Sequence, residues 1–325
     1  MNILGLGGSN HDFSACLVQD GNIMNMIEDE RITRVKHSRG LGVEIAKGFS
    51  RKYCLEQMSL SLSEIDMFIS NDIIHKGMLH RLNDVKLINH HMAHAASSFY
   101  CSPFQESAIL VVDSVGSKII KNNMALYESV TLAYGEDNHI NAIQKCLGKN
   151  LDNTDYIENS LGIFYSIITD VVGFKELQEG KTMGLAPYGS DKWYNQIKSY
   201  IRYTDNGHII MSQKDIYQLL DLKKYVNSID DSDIKFALAA DIAWAAQQIL
   251  EEIMIELCKY LKSLTKSKNL CLSGGVALNS VANYKIYKEK IFDNIFIQPA
   301  AGDNGTSIGA ALYGYYELLN NKRQV

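Results

Sequence analysis

Two histidines four residues apart, His90 and His94, are the residues whose types and spacing most directly indicate chemistry. On a helix this spacing places both imidazoles on one face, with about 5 to 6 Å between their Cβ atoms. Two ring nitrogens can then converge on one metal ion. Asn89 stands where an N-cap residue is expected, and His91 is predicted to point elsewhere. Two histidines hydrogen-bonded within a packed interface are the alternative explanation.

Two aspartates follow predicted strands and could complete such a metal site. Asp113 ends the apolar run AILVVD, and Asp303 lies in AGDNGTS, before the last predicted helix. Taken singly, each could be an ordinary turn or capping residue. Together with His90 and His94 they form a nitrogen and oxygen donor set that suits iron, manganese or zinc.

Glycine-rich segments at strand and helix ends are candidate nucleotide-binding junctions. Gly274 and Gly275 separate the strand NLCLS from a predicted helix, where missing side chains let a phosphate reach backbone amides. The segment EGKTMGLAPYG is interpreted as a loop whose Lys181 offers a positive charge to an anion, with a solvated lysine as the alternative. The candidate nucleotide-binding residues are Lys181, Gly274, Gly275, Asn279, Asn304 and Gly305.

The loop after the first predicted strand, GGSNHD, contains His11 and Asp12. A histidine titrates near neutral pH and therefore suits a general base for a hydroxyl group. We predict that His11 and Asp12 are catalytic, with a surface histidine as the alternative. The charged stretch from Glu28 to His37 is typical of a solvated face. Its basic residues could also contact a phosphate, and they are Arg31, Arg34, Lys36 and His37.

Two sets of strands are predicted to position these residues. NILGLGG, FSACLV and IMNMIE form the first set, with a Asp20-Gly21 hairpin signal, and a second set begins near Ala108. The pattern predicts a bilobal α/β fold with duplicated mixed sheets: a first lobe over 1–105 and a second over 106–325. The C-terminal helix is expected to pack back on the first lobe. A helix over about 234–264 carries an apolar stripe, predicted to be core, of Ile234, Leu238, Ile242, Ile249, Ile253 and Leu257.

Composition and charge exclude several function classes. The 325 residues include 32 basic and 37 acidic ones, giving a net charge of −5 with no long basic run, which argues against a nucleic-acid partner. The longest uncharged run, Leu87 to Gln105, contains three histidines and a proline, so we reject a membrane span. Six scattered cysteines and the absence of a basic leader favour reduced thiols and a cytoplasmic location.

The order and spacing of these segments resemble the O-carbamoyltransferase family, which carbamoylates antibiotics and nodulation factors, and more distantly the universal tRNA threonylcarbamoyl-transfer protein. The resemblance is carried by GGSNHDFSACLVQDG, EDERITRVKH, NHHMAHAAS, VVDSVG, SLGIFYSIIT, EGKTMGLAPYG, SGGVALN and PAAGDNGTSIGAA. It implies a fold of the actin, hexokinase and Hsp70 (ASKHA) type with an active site between the lobes. It also implies that His90, His94, Asp113 and Asp303 hold Fe or another first-row divalent metal against carbamoyl-adenylate, a donor made from ATP.

The chain departs from the family pattern in two places. The family reads D-G-x-G-E where this chain has Asp113-Ser114-Val115-Gly116-Ser117, so one acidic group is missing. Family members also continue with a YrdC-like domain that joins carbamoyl phosphate to ATP, whereas this sequence reaches Val325 directly after the last predicted helix. We therefore expect a separate YrdC-like protein to form the carbamoyl-adenylate.

The expected function is metal-assisted carbamoyl transfer from carbamoyl-adenylate to a hydroxyl of a small-molecule or sugar acceptor. A catalytically silent nucleotide-binding partner or regulator of a carbamoyltransferase is the alternative, since the motif at Asp113 is altered. A sugar-kinase-like ATPase is disfavoured, because such kinases have an Asp and a Gly-Thr turn where this chain has Gly7-Gly8-Ser9-Asn10.

Overall fold

Two mixed β-sheets with the same strand order organise the chain. The computed structural model describes residues 1–152 and 154–323. The strands of the first sheet are β1 (Asn2–Gly7), β2 (Ser14–Gln19), β3 (Asn22–Glu28), β4 (Met67–Asn71) and β5 (Lys86–Ile88). Their order is β3-β2-β1-β4-β5, with β1 antiparallel to β2 and parallel to β4. The antiparallel half is the hairpin unit predicted from the Asp20-Gly21 turn.

The second sheet repeats this arrangement. The further strands are β6 (Glu106–Val112), β7 (Lys118–Lys121), β8 (Met124–Glu136), β9 (His139–Lys149), β10 (Arg202–Tyr203), β11 (Ile209–Ile210), β12 (Asn269–Ser273) and β13 (Asn294–Ile297). Strand β6 pairs antiparallel with β8 and parallel with β12, while β9 adds to β8 and β13 adds to β12. The predicted duplicated mixed-sheet fold is therefore confirmed. Strands β10 and β11 form a separate two-stranded ribbon.

The helices lie after and between these strands. They are α1 (Asp29–Thr33), α2 (Phe49–Gln57), α3 (His90–Phe99), α4 (Leu161–Val171), α5 (Glu179–Leu185), α6 (Tyr194–Lys198), α7 (Gln213–Asn227), α8 (Ser232–Thr265), α9 (Ser280–Glu289) and α10 (Thr306–Tyr313). The predicted boundary between two lobes near residue 106 stays a prediction, and the strands of the two sheets fall on either side of it. No helix within the described ranges is long and apolar enough to cross a membrane.

Helices α3 and α10 form the layer between the two sheets. One buried cluster joins side chains of the first sheet, such as Ile69, and of the second, such as Val111, to both helices. The helices approach closely, because a Cβ atom at Gly309 would lie 1.7 Å from the carbonyl oxygen of Ala93. A Cβ atom at Gly5 in β1 would similarly lie 2.1 Å from the carbonyl oxygen of Ser307. Glycine at these positions lets the middle layer sit tightly against its neighbours.

Two expectations about local structure are wrong. The segment EGKTMGLAPYG is not a loop, since α5 and a 3₁₀ turn, Ala186–Tyr188, occupy it. Ile234 is 60% exposed and does not belong to the buried stripe of α8, unlike the other members of that stripe. Helix α7 and strand β7 were not predicted.

All six cysteines are free. Five of them are buried and Cys101 is half-buried.

Candidate active site

Four buried side chains converge in the middle layer of the fold. The Nε2 atoms of His90 and His94 are 3.1 Å apart. Asp113 Oδ2 lies 3.2 Å from the first and 3.3 Å from the second. Asp303 Oδ1 lies 3.4 and 3.5 Å from the same two nitrogens. The structure thus brings together the four residues predicted as metal ligands, each with one donor atom within 4.8 Å of the others.

The two histidines are presented by the first turns of α3. The side chain of Asn89 accepts a hydrogen bond from the Met92 amide at 3.0 Å, so it is the N-cap that the sequence predicts. The four-residue spacing then places His90 and His94 on one face. His91 points elsewhere, and its Nδ1 atom lies 2.8 Å from Thr131 Oγ1.

Asp113 divides its two carboxylate oxygens between the backbone and the histidines. It follows β6, and its Oδ1 atom accepts hydrogen bonds from the amides of Ser114 at 2.8 Å and Gly275 at 3.2 Å. Gly274 has a φ of +92°, and a Cβ atom there would lie 2.3 Å from the carbonyl oxygen of Val112. Only glycine at position 274 allows the two backbones to lie this close. The two hydrogen bonds from backbone amides hold Asp113 Oδ1, so that Asp113 Oδ2 faces the histidines.

Asp303 is held by the end of the first sheet. Its carbonyl oxygen accepts hydrogen bonds from the Gly8 amide at 3.1 Å and from Thr306 Oγ1 at 2.5 Å. Gly8 follows β1 and Thr306 begins α10. The second carboxylate of the cluster is therefore positioned where the first sheet meets helix α10.

The charges in this cluster favour a cation at its centre. Burial lowers the pKa of His90, but the Asp303 and Asp113 carboxylates outweigh burial and raise that pKa to about 10. Burial raises the pKa of both aspartates, yet the two histidines outweigh it and hold the carboxyl pKa values well below their usual range. Either a protonated imidazole or a metal ion can supply the positive charge. Two imidazoles and two carboxylates suit a divalent first-row ion.

Asp72 supports the amino end of α3 together with Ser117, and Asp72 was missed by the sequence analysis. The His90 amide donates to Ser117 Oγ at 2.8 Å and to Asp72 Oδ1 at 3.1 Å, and the Ser117 hydroxyl donates to Asp72 Oδ1 at 2.6 Å. A carboxylate here interacts favourably with the helix dipole. At the position where the family motif has Glu, Ser117 thus donates a hydrogen bond to the carboxylate of Asp72, which directly follows β4.

Glu128 is a second residue that the sequence analysis missed. It is fully buried on β8 and accepts hydrogen bonds from Asn89 and from the Ser117 amide, and Lys145 pairs with it. A charged residue inside the apolar run of a central strand was the available signal. Glu128 anchors the N-cap of the helix that carries His90.

His11 and Asp12 lie in the loop after β1. His11 Nδ1 is 2.9 Å from Asp12 Oδ2, and His37 Nδ1 is 2.9 Å from Asp12 Oδ1. Burial lowers the pKa of His11, but the hydrogen bond to Asp12 and the Asp303 and Asp113 charges outweigh it and raise that pKa. The backbone of this loop contacts the four-residue cluster, because the Gly8 amide donates to the Asp303 carbonyl oxygen at 3.1 Å and the Ser9 amide donates to the His11 carbonyl oxygen at 3.1 Å.

The remaining predicted residues are engaged in other contacts. The Lys181 ammonium is exposed on α5 and donates to Gln178 Oε1 at 3.0 Å. Asn279 caps α9 and donates to Gln247 Oε1 at 2.9 Å. Asn304 donates to Glu28 Oε1 at 2.6 Å. Gly275, also predicted to bind nucleotide, contacts the four-residue cluster, because its amide donates to Asp113 Oδ1. The nucleotide-binding role of the whole set stays a prediction.

Gly305 and the charged stretch from Glu28 to His37 were also predicted as nucleotide or phosphate contacts. A Cβ atom at Gly305 would lie 1.9 Å from the carbonyl oxygen of Ala300, so this glycine permits a close backbone approach. In the charged stretch, Arg31 lies in ion pairs with Glu28 at 3.5 Å and Glu30 at 3.4 Å. Phosphate contact by this stretch stays a prediction.

The two repeated mixed sheets form a fold of the actin, hexokinase and Hsp70 structural class, and the buried His/Asp cluster is a candidate metal centre between the sheets. Within that class the chain belongs to the family described as Carbamoyltransferase N-terminus, whose model matches residues 2–81 and 73–312. The resemblance found in the sequence motifs is thereby confirmed.

Two curated relatives extend this assignment. An uncharacterized protein of Synechocystis sp. is 30% identical over 399 residues, covering 99% of this chain and 58% of that protein. Nodulation protein NolNO of Sinorhizobium fredii is 29% identical over 345 residues, covering 95% of this chain and 47% of that protein. The chain therefore spans about half the length of the curated relatives it matches.

A solved structure supports the fold. Full-length HypF in its phosphate- and nucleotide-bound form superposes with a TM-score of 0.57 at 14% identity, covering 98% of this chain and 55% of that chain. At this identity the likeness concerns the fold alone.

Proposed function

We propose that this chain transfers a carbamoyl group from carbamoyl-adenylate to a hydroxyl group of a small-molecule or sugar acceptor. The observation that carries the proposal is the convergence of two buried imidazoles and two buried carboxylates, in a chain of the carbamoyltransferase family. His11 lies nearby in the loop after β1, where a base for the acceptor hydroxyl is needed.

We assign the metal-binding role to His90, His94, Asp113 and Asp303, with iron or another first-row divalent ion as the occupant. The support is the donor set and the two carboxylates whose lowered pKa values keep them ionised. When bound there, the ion would supply positive charge to donor oxygens on which negative charge develops during acyl transfer. The amides of Ser114 and Gly275 keep the Asp113 carboxylate aimed at the histidines.

We assign the nucleotide of the donor to the glycine-rich junction at Gly274 and Gly275, which lies against Asp113. The HypF structure with a similar fold is a phosphate- and nucleotide-bound form, which is consistent with nucleotide binding by this fold, whereas the choice of Gly274 and Gly275 rests on the glycine-rich junction itself. Backbone amides at such a junction favour a phosphate group. Lys181, Asn279, Asn304 and Gly305 complete the proposed contacts.

The proposed chemistry is attack of the acceptor oxygen on the carbamoyl carbon. His11 Nε2 takes the hydroxyl proton as the new carbon–oxygen bond forms. The bond between the carbamoyl carbon and the phosphate oxygen breaks, and its electron pair leaves with AMP. Asp12 accepts a hydrogen bond from His11 Nδ1 and stabilises the imidazolium that results.

We further propose that a YrdC-like protein supplies the carbamoyl-adenylate and that the reaction takes place in the cytoplasm. The first part rests on the resemblance to the carbamoyltransferase family, and the second on the six free cysteines. Adding a YrdC-like protein, carbamoyl phosphate and ATP to the 325-residue protein should yield carbamoylated acceptor. Pyrophosphate release by the 325-residue protein without that partner would contradict the proposed division of labour.

The decisive experiment supplies carbamoyl-adenylate directly. The protein, loaded in turn with Fe²⁺, Mn²⁺ or Zn²⁺, is given the adenylate and a panel of amino sugars and sugars, and AMP and carbamoylated products are measured by mass spectrometry. We expect AMP release that depends on the metal and is lost in Asp113→Asn. This release should be measurable even if no compound in the panel is the true acceptor, because water can act as a slow acceptor. Binding of AMP without any metal-dependent turnover would favour the silent-partner alternative.

A further inference from the structure

We propose that His37 is a positioning residue for this transfer, which holds Asp12 so that His11 keeps its proton on Nδ1 and its lone pair on Nε2. The inference rests on the proposed function and deepens it. His37 belongs to the charged stretch for which the sequence predicted a solvated face or a phosphate contact. Its contacts with Asp12 assign it a different task.

His37 binds Asp12 through both its backbone and its ring. The Asp12 amide donates to the His37 carbonyl oxygen at 2.9 Å. His37 Nδ1 lies 2.9 Å from Asp12 Oδ1, while His11 Nδ1 lies 2.9 Å from the other carboxylate oxygen. The Asp12 carboxylate therefore bridges the imidazoles of His11 and His37.

The bridge determines which ring nitrogens carry protons. An ionised carboxylate accepts hydrogen bonds and cannot donate, so both Nδ1 atoms must be donors. A neutral His11 with its proton on Nδ1 has a free lone pair on Nε2, which is the atom that must accept the hydroxyl proton. Asp12 selects this tautomer of His11, and His37 determines where the Asp12 carboxylate lies.

The backbone at both ends of this bridge is held in an unusual conformation. Asp12 has a φ of +54° and His37 a φ of +56°, which is the left-handed region that side-chain-bearing residues rarely adopt. The His37 amide donates to Glu30 Oε2 at 2.6 Å, and this contact helps to hold the turn. Such conformations persist when the surroundings over-determine them, and they concentrate at functional sites.

His37→Asn and His37→Asp are a matched pair that tests the proposal. The Asn amide nitrogen takes nearly the place of Nδ1 and can donate to Asp12, whereas the Asp carboxylate cannot. Both residues tolerate the left-handed backbone, and the two differ little in size. Circular dichroism and AMP titration check that each variant folds and binds nucleotide.

We expect His37→Asn to keep kcat within about threefold of the wild type and His37→Asp to lower it by about 10- to 100-fold, with the KM for carbamoyl-adenylate unchanged. The reduction lies within what a positioned base contributes. In a His11→Ala background, His37→Asp should cause no further loss, because both residues act through the same base. An equal loss in both backgrounds, or no rescue by Asn, would overturn the proposal.

Nitrogen NMR of the His11 ring separates this inference from the proposed function. Above its pKa, the wild-type ring should show the tautomer with the proton on Nδ1, and His37→Asp should shift it toward a mixture. If no acceptor is carbamoylated but the tautomer responds to His37→Asp, the proposed function fails and the positioning role stands. An unchanged tautomer in that variant would contradict the positioning role whatever the activity.

Discussion

The side-chain nitrogen of Asn89 lies 2.9 Å from each carboxylate oxygen of Glu128. Through its other side-chain atom, the same residue caps α3 by accepting from the Met92 amide. One residue thus joins a buried carboxylate of β8 to the first turn of the helix that carries His90 and His94. The position of both imidazoles relative to the second sheet depends on this contact.

Asn89→Ala should therefore lower the free energy of unfolding by about 1 to 3 kcal/mol. The substitution removes an N-cap and leaves a buried carboxylate with one donor fewer. Asn89→Ser is the matched control, because it keeps a capping oxygen and loses the contact with Glu128. Urea unfolding of the three proteins should place Ser between Ala and the wild type. Equal stability of Ala and the wild type would show that neither contact contributes.

The double variant His90→Ala, His94→Ala should lose stoichiometric metal. Two of four donors are gone, and the remaining pair of carboxylates is too few for a closed site. Elemental analysis after dialysis measures the effect, and His80→Ala, at an exposed histidine, is the control that should retain the metal. A folded double variant that still holds one equivalent of metal would refute the ligand assignment.

His11→Ala should slow carbamoyl transfer by about 10² to 10⁴-fold, which is the usual contribution of a positioned general base. Nucleotide affinity should hardly change, because His11 bonds to Asp12 and is assigned to the acceptor. Calorimetry with AMP and rate measurements with carbamoyl-adenylate separate the two effects. Loss of nucleotide binding, or normal transfer, would remove His11 from that role.

Asp29→Asn should stabilise the protein more at pH 7 than at pH 4. Burial raises the pKa of Asp29, and the hydrogen bonds from Ser50 and the charge of Arg51 offset this only in part. The folded state therefore binds the proton more tightly than the unfolded state, so stability falls as pH rises from the ordinary value of 3.8 through the raised pKa.

The Asn variant lacks this loss, because its side chain stays neutral. Urea unfolding across that pH range should show a stability difference between variant and wild type that grows with pH. A constant difference would mean that the pKa of Asp29 is the same in the folded and unfolded states.

The parts of the site that sequence alone predicts are those with local causes. His90 and His94 share a face because a helix repeats every 3.6 residues, and Asn89 caps it through a bond that spans three residues. Asp113 follows an apolar run that predicts β6, and Asp303 stands directly before the predicted last helix. The partners Asp72 and Glu128 could not be found this way, because they approach α3 from distant strands and no spacing rule links them to it.

The wrong interpretation of the α5 segment has a similar cause, whereas α7 had a visible local pattern. Two glycines in the segment of α5 argued for a loop, yet tertiary contacts hold it as a helix: Glu179 accepts from Ser166 at 2.5 Å and Thr182 donates to Thr169 at 2.8 Å. Helix α7 was overlooked although its buried residues lie three or four apart. Those residues are Ile216, Leu219, Leu222 and Val226.

The four converging donors have a consequence for the order in which the protein matures. His90, His94 and Asp113 are made early, while Asp303 comes from the far side of α8 and α9 in the chain. During synthesis, a ribosome-bound chain that has not yet reached Asp303 offers an ion three donors at most. Under the proposed ligand assignment, full coordination therefore waits until Asp303 has been made and packed beside α3, so binding of the ion reports that the segments before α8 and after α9 have come together.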